Sequence, residues 1–129
     1  NEMRLLASGV GSAEGVEERV ADIALRRGVQ IVVWKRGAEG SVAFTAAGRN
    51  AVPAIPVEVV STNGAGDGFA AGFLTAYSRD LGVTECLRCG NAAAGWVVAH
   101  AGCAEAMPRP AELKRTLSAV GSNPSARNR

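Results

Sequence analysis

The sequence predicts an α/β fold, a three-layer sandwich built on a mostly parallel sheet. Two observations predict it. An amphipathic helical segment feeds directly into a nearly continuous apolar run, Val29 to Trp34, which is the pattern of a strand buried on both faces of a parallel sheet. Further on, a short β-branched run passes through a glycine-rich turn into another helical segment, and such alternation of strand and helix marks α/β architecture.

The first helix is expected after Ser12 as N-cap, with Glu14, Glu17 and Glu18 early, basic residues late and Gly28 just past the end. Val20, Ile23, Ala24 and Arg27 recur along it at helical spacing. Gly37 and Gly40 punctuate a turn after the buried run, and Ser41 to Thr45 reads as a second strand. Ala46 to Asn50 reads as a further turn before an extended stretch through Ile55, which Pro53 and Pro56 assign to a sheet edge. Val57 to Val60 reads as a short strand running into Asn63-Gly64-Ala65-Gly66-Asp67-Gly68, after which a helix carries Phe69, Phe73, Ala76 and Tyr77 on one face. Thr84 suits the N-cap of the next helix, which buries Leu87, Ala94, Val97 and Val98 and ends near Ala99, with Gly102 closing it. Pro110 suits the first position of a last helix with Leu113, Leu117 and Val120 on its apolar face. The expected domain is 1–120, followed by a polar, basic, disordered tail over 121–129.

The 129 residues, 47% hydrophobic and 20% charged, suit one ordinary globular domain. A net charge of +2 gives no basic stripe and the few aromatics no stacking platform, so nucleic acid is not an expected partner. No apolar run approaches the roughly 20 residues of a membrane helix and no leader pattern is visible, so the expectation is a cytoplasmic protein without a membrane partner. Cys86 and Cys89 form a lone C-x-x-C; with one His in the chain their ligand set stays incomplete, and they are expected to be reduced thiols on a helix surface or in the core. The sequence opens at Asn1 and reads as the continuation of a longer chain. A sheet short of strands exposes an apolar edge that favours self-association, so a homodimer is one expected assembly.

Chemistry concentrates at Ser61 to Gly68. Glycines at a helix N-terminus let a ligand approach the main chain, and unpaired N–H groups with the helix dipole favour an anion such as a phosphate. A carboxylate at the same place, Asp67, makes sense if it faces a second substrate. An alcohol hydroxyl titrates far above an ordinary carboxylic acid, so a carboxylate facing one would orient it and take its proton late, as a loose phosphoryl-transfer transition state allows. The P-loop pattern requires Lys where Asp67 stands, and Gly9-Val10-Gly11 lacks the third glycine of a dinucleotide fingerprint. Taken alone, Gly-Ala-Gly-Asp is equally consistent with a tight connection into a helix that Asp67 caps.

The fourteen residues Ser61-Thr62-Asn63-Gly64-Ala65-Gly66-Asp67-Gly68-Phe69-Ala70-Ala71-Gly72-Phe73-Leu74 resemble the C-terminal signature of the PfkB (ribokinase-like) carbohydrate kinases. Val32 to Ser41 resembles that family's strand and turn beside the nucleotide, and Gly90-Asn91-Ala92-Ala93-Ala94 its adenine-pocket helix. The resemblance runs from Asn1 to about Leu117 and implies a ribokinase-like three-layer α/β/α sandwich, of which this would be the C-terminal portion. It further implies ATP and Mg2+ as cofactors, Asp67 as catalytic base, the amides of Gly64, Ala65 and Gly66 as an anion hole, and Lys35, Arg36, Gly37, Gly40, Asn91 and Asn1 around ATP. A K+ site is implied near Ser61, Asn63, Val97, His100 and Gly102. Ser61 stands where many relatives have Asp, and Arg4 stands at the Glu place of an Asn-x-x-Glu magnesium motif. Pro56 to Val60, Lys35 to Gly37 and His100 to Pro108 are similar to the 5-dehydro-2-deoxygluconokinase subfamily of inositol catabolism. The implied substrate is therefore a sugar or sugar acid phosphorylated at a primary hydroxyl, with fructose, 2-keto-3-deoxygluconate or ribose as alternatives, or else a nucleotide-binding module without catalysis.

Overall fold

In the computed structural model, which describes residues 5–8, 15–100 and 107–121, four strands form one sheet between two helical layers. Strand β1 (Leu5–Ser8) is followed by helix α1 (Val16–Arg26), strand β2 (Ile31–Lys35), a 3-10 turn (Gly37–Glu39), and strands β3 (Ser41–Thr45) and β4 (Gly48–Val52). Helices α2 (Ala65–Tyr77), α3 (Val83–Ala99) and α4 (Pro110–Gly121) complete the chain. Ser12, Asn1, Arg4, Gly102 and the tail beyond Gly121 lie outside the described residues.

The sheet order is β1-β2-β3-β4. The expected mostly parallel sheet is corrected here: β1 and β2 pair in parallel, but β2 with β3 and β3 with β4 are antiparallel. Connection length decides this. A parallel return needs a crossover of about a dozen residues or more, which α1 supplies between β1 and β2. Between Lys35 and Ser41 there are only Arg36 to Gly40, and between Thr45 and Gly48 only Ala46-Ala47, lengths that close hairpins. The turn expected over Ala46 to Asn50 is thus tighter, and β4 begins at Gly48.

Residues alternate across β2 and β3 as strand geometry requires. Ile31, Val33 and Ala43 face a core completed by Phe69, Phe73, Ala76, Cys86 and Leu87 from α2 and α3. Val32, Trp34, Val42 and Phe44 face Ala21 and Ala24 of α1. Helix α1 therefore seats small residues under the large Trp34 and Phe44 rings. Its expected apolar face turns outward in part: Val20 and Ile23 are 37% and 54% exposed.

Val57 to Val60, expected as a strand, is an irregular connection. β-branched residues fit a pleated surface, but a strand also needs a neighbour to pair with. Here the N–H groups of Val60 and Ser61 both donate to the carbonyl of Val98 on α3 (2.7 and 3.1 Å), and Val59 and Val60 stay exposed. Helices α2 and α3 begin at Gly64 and Gly82 as caps, so Thr84 lies just inside α3 and donates to Asn50 Oδ1. Pro110 opens α4 as expected, with the Glu112 carboxylate accepting from the Arg109 N–H at 2.6 Å.

Helices α2 and α3 pack closely, through glycines on both. A Cβ at Gly72 would lie 2.5 Å from the Cys89 carbonyl oxygen, one at Gly68 2.9 Å from Val97 Cγ2, and one at Gly90 2.8 Å from the Phe69 ring. Gly72→Ala is therefore expected to lower the unfolding free energy by about 1–3 kcal/mol in urea titration. Gly82→Ala has open space around it at φ −61°, and because the entropy gained in the unfolded chain is offset by the poorer N-cap that Ala makes, its effect should stay within about 0.5 kcal/mol of neutral.

Cys86 and Cys89 are buried core thiols, and burial first, with neighbouring acidic groups, pushes both thiol pKa values up. The folded state thus holds these protons more tightly than the unfolded chain, so their contribution is fully present below the ordinary thiol range and lost as pH rises above it. Alkylation of both, mapped by peptide mass spectrometry, is expected to be slower in the native chain than in urea by about tenfold or more.

Candidate functional site

The site is built where α2 begins. Gly64 sits at φ 78°, ψ −1°, a left-handed conformation that glycine adopts without steric cost, and it turns the chain from Thr62-Asn63 into the helix. No side chain caps this N-terminus. The Ala65 N–H reaches back to the Thr62 carbonyl at 3.4 Å, while among the described residues the N–H groups of Gly64, Gly66 and Asp67 have no backbone acceptor. Open donors at the positive end of a thirteen-residue helix are groups of the kind that favour an anion. Asp67 lies exposed in the same first turn, and no ion pair or hydrogen bond engages its carboxylate among the described residues.

The end of β2 supplies the cation. Lys35 Nζ lies 3.0 Å from where a Cβ on Gly66 would be, so the ammonium rests against the glycine of the α2 first turn. Its neighbour takes the other side. The Arg36 guanidinium forks onto the buried carboxylate of Glu17 on α1, with Nε 3.0 and 3.1 Å from the two oxygens and a second contact through Nη2. Those hydrogen bonds hold the Arg36 pKa above its usual range. Two adjacent basic residues thus serve different faces, Lys35 the helix-α2 face and Arg36 the α1 layer.

A cleft of about 530 Å³ opens beside this turn. Its walls are Gly37 and Ala38, the segment Ala54 to Val57, and Ala94, Gly95 and Val98 of α3; Thr62 and Ala65 carry it to the α2 N-terminus. Among the described residues, only Thr62 and Asn91 contribute polar side chains to the lining, so the cleft is an apolar slot that opens beside the uncapped α2 N-terminus. Gly40 is buried behind it at φ 96°, and Asn91, 7% exposed, donates from Nδ2 to the Val52 and Pro53 carbonyls at 3.1 and 3.0 Å.

Sequence reasoning missed the wall from Ala54 to Val57, reading its prolines as a sheet edge. Small residues on successive turns of α3, Ala94, Gly95 and Val98, were the available signal for a cleft. Of the groups expected around a monovalent cation, Ser61 is joined to the end of α3 through Val98, and its Oγ accepts from the Asn63 N–H at 3.3 Å. The Val97 carbonyl accepts the His100 N–H. His100 stacks on Trp96, and its Nδ1, 2.7 Å from the Trp96 carbonyl, carries the proton because a carbonyl only accepts. Among the described residues, no three His, Cys, Asp or Glu side chains cluster as a metal site, and no helix is long and apolar enough to cross a membrane.

The sequence profile of the pfkB family carbohydrate kinases matches residues 5–110, which include β1, the Lys35 strand, the Gly64 turn and the whole cleft. The chain belongs to that family. Among pfkB relatives, a 5-dehydro-2-deoxygluconokinase of Geobacillus kaustophilus is 36% identical over 99 residues, covering 76% of this chain and 30% of that protein. The ribokinase of Arabidopsis thaliana, solved with ribose and ATP, superposes with a TM-score of 0.73 at 32% identity over 78% of this chain and 33% of its own. An aminoimidazole riboside kinase of Salmonella enterica, solved with its riboside and an ATP analogue, gives a TM-score of 0.66 at 34% identity, covering 78% and 36%. The chain spans about a third of the length of the curated relatives it matches.

The unequal placing of the two basic residues has a direct consequence. Lys35→Met should weaken binding of inorganic tripolyphosphate by about tenfold or more, read by calorimetry, with little change in stability. Arg36→Met should do the reverse, lowering stability by about 2 kcal/mol because the buried Glu17 carboxylate loses its partner, with tripolyphosphate affinity nearly unchanged.

Proposed function

We propose that this chain forms the nucleotide side of an ATP-dependent kinase that phosphorylates a primary hydroxyl of a sugar or sugar acid. The observation that carries the reading is the meeting of Lys35 with the uncapped α2 N-terminus, at the mouth of an apolar cleft and with Asp67 exposed in the same turn. The cleft suits a flat heteroaromatic base, and the open amides and Lys35 suit the phosphates. ATP supplies the transferable phosphoryl group, and Mg2+ would be held chiefly through its phosphates and water, as this small hard cation prefers.

Asp67 acts as the base. It orients the acceptor hydroxyl and receives its proton as the new oxygen–phosphorus bond forms and the bond from the γ-phosphorus to the departing ADP breaks, while the open amides of Gly64 and Gly66 and Lys35 stabilise charge on the transferring group. The resemblance to 5-dehydro-2-deoxygluconokinases favours 5-dehydro-2-deoxygluconate as acceptor.

A second reading is a nucleotide-binding module without transfer of its own. The share of its relatives that the chain spans favours it, since in-line transfer needs an acceptor site as well as a nucleotide site.

Calorimetry with a non-hydrolysable ATP analogue and Mg2+ should show binding to the chain and to its Asp67→Asn variant alike; no binding to either would overturn the nucleotide assignment. With 5-dehydro-2-deoxygluconate, fructose, ribose and 2-keto-3-deoxygluconate offered as acceptors, Asp67→Asn should cut any transfer by roughly 10²–10⁴-fold. Retained transfer would remove Asp67 as base, and binding without transfer in the unsubstituted chain would establish the second reading.

A further inference from the structure

We propose that Asn91 is a positioning residue that acts with Ser41 and Gly40 to fix the Val52 to Ala54 segment as the rigid wall of the base cleft. This rests on the nucleotide reading of that cleft and assigns Asn91 a role through the protein backbone.

Three observations converge. Asn91 comes from α3 and is buried, yet every polar group of its amide faces protein: Nδ2 donates to the carbonyls of Val52 and Pro53, and Oδ1 accepts from Ser41 Oγ at 2.9 Å. The two carbonyls, which only accept, fix which way the amide points: they turn Nδ2 toward themselves and leave Oδ1 to the hydroxyl of Ser41, itself 2% exposed. Gly40, one residue earlier, grips the same segment from another direction: a Cβ there would fall 2.1 Å from the Val52 oxygen and 2.6 Å from Ala54 N. The Pro53 peptide thus leaves the sheet under restraint on two sides, just where Ala54 and Ile55 become cleft wall.

The segment has few other restraints. Pro53 and Pro56 donate no N–H, and no backbone hydrogen bond engages Ala54, Ile55 or Val57 among the described residues. Two carbonyls held by one amide, with a glycine behind them, therefore set where the wall stands.

Asn91→Asp keeps the shape but sets a carboxylate, which has no donor, against two carbonyl oxygens. Ser41→Ala removes the donor that Asn91 Oδ1 accepts from, which loosens the amide's hold on the two carbonyls, and serves if the first variant folds poorly. Nitrogen-15 relaxation on the 129-residue chain should show Ala54 and Ile55 rigid, with order parameters near ~0.85, falling toward ~0.6 in the variants while Phe69 to Tyr77 stay rigid. In parallel, adenosine affinity should fall by about tenfold while affinity for inorganic tripolyphosphate, bound at the α2 N-terminus, stays within about twofold. Unchanged order at Ala54 and Ile55, or equal loss for both ligands, would overturn the proposal. If the unsubstituted chain fails to bind adenosine, the nucleotide reading falls, and the relaxation data then decide the clamp.

Discussion

The contact between α2 and α3 is the constraint on which the rest of the molecule depends. Gly68 and Gly72 are one turn apart on α2 and meet α3 where a side chain would overlap Val97 or the Cys89 carbonyl, while Gly90 of α3 receives the flat of Phe69. Close approach lets Phe69, Phe73 and Leu87 pack under Ile31, Val33 and Ala43. It also fixes the start of α2 against the end of α3, so the Gly64 turn, Ser61 and Val98 come together. A wider spacing would separate the uncapped α2 N-terminus from the α3 wall of the cleft.

On the opposite face the sheet answers with a different device. Helix α1 is light, with Ala21 and Ala24 under Trp34 and Phe44, and it is tied to the β2–β3 turn by the Glu17–Arg36 pair. The carboxylate is nearly fully buried and the guanidinium partly so, so the pair matters more for position than for net stability, since the attraction returns little beyond what burying the carboxylate costs. What it positions is the turn from Arg36 to Gly40, whose first glycine lines the cleft. Lys35, one residue before, remains available to α2.

The candidate site was legible in part because its main feature is local. A helix N-terminus with glycines and an Asp is written in consecutive residues, and the fourteen-residue signature carried the family as well. Lys35 and Asn91 were singled out from sequence, but their surroundings were not, since a Lys at a strand end and an Asn on a helix are read against partners far along the chain. Asn91 meets Ser41, Val52 and Pro53 at separations of about forty to fifty residues. The sheet direction was misread for a simpler reason: apolar continuity reports burial on both faces, while parallel or antiparallel pairing follows from connection length.

By itself the sequence determined the existence of the four helices, a buried strand read at Val29 to Trp34, the glycine-rich turn and the family, because each is encoded in periodicity, capping residues or a contiguous motif. Only the tertiary structure decided the antiparallel hairpins, the outward turn of Val20 and Ile23, the loop at Val57 to Val60 and the opposite duties of Lys35 and Arg36. Those outcomes depend on which backbone groups find partners and which side chains fit the facing surface. Such pairwise terms between distant residues have no local signature.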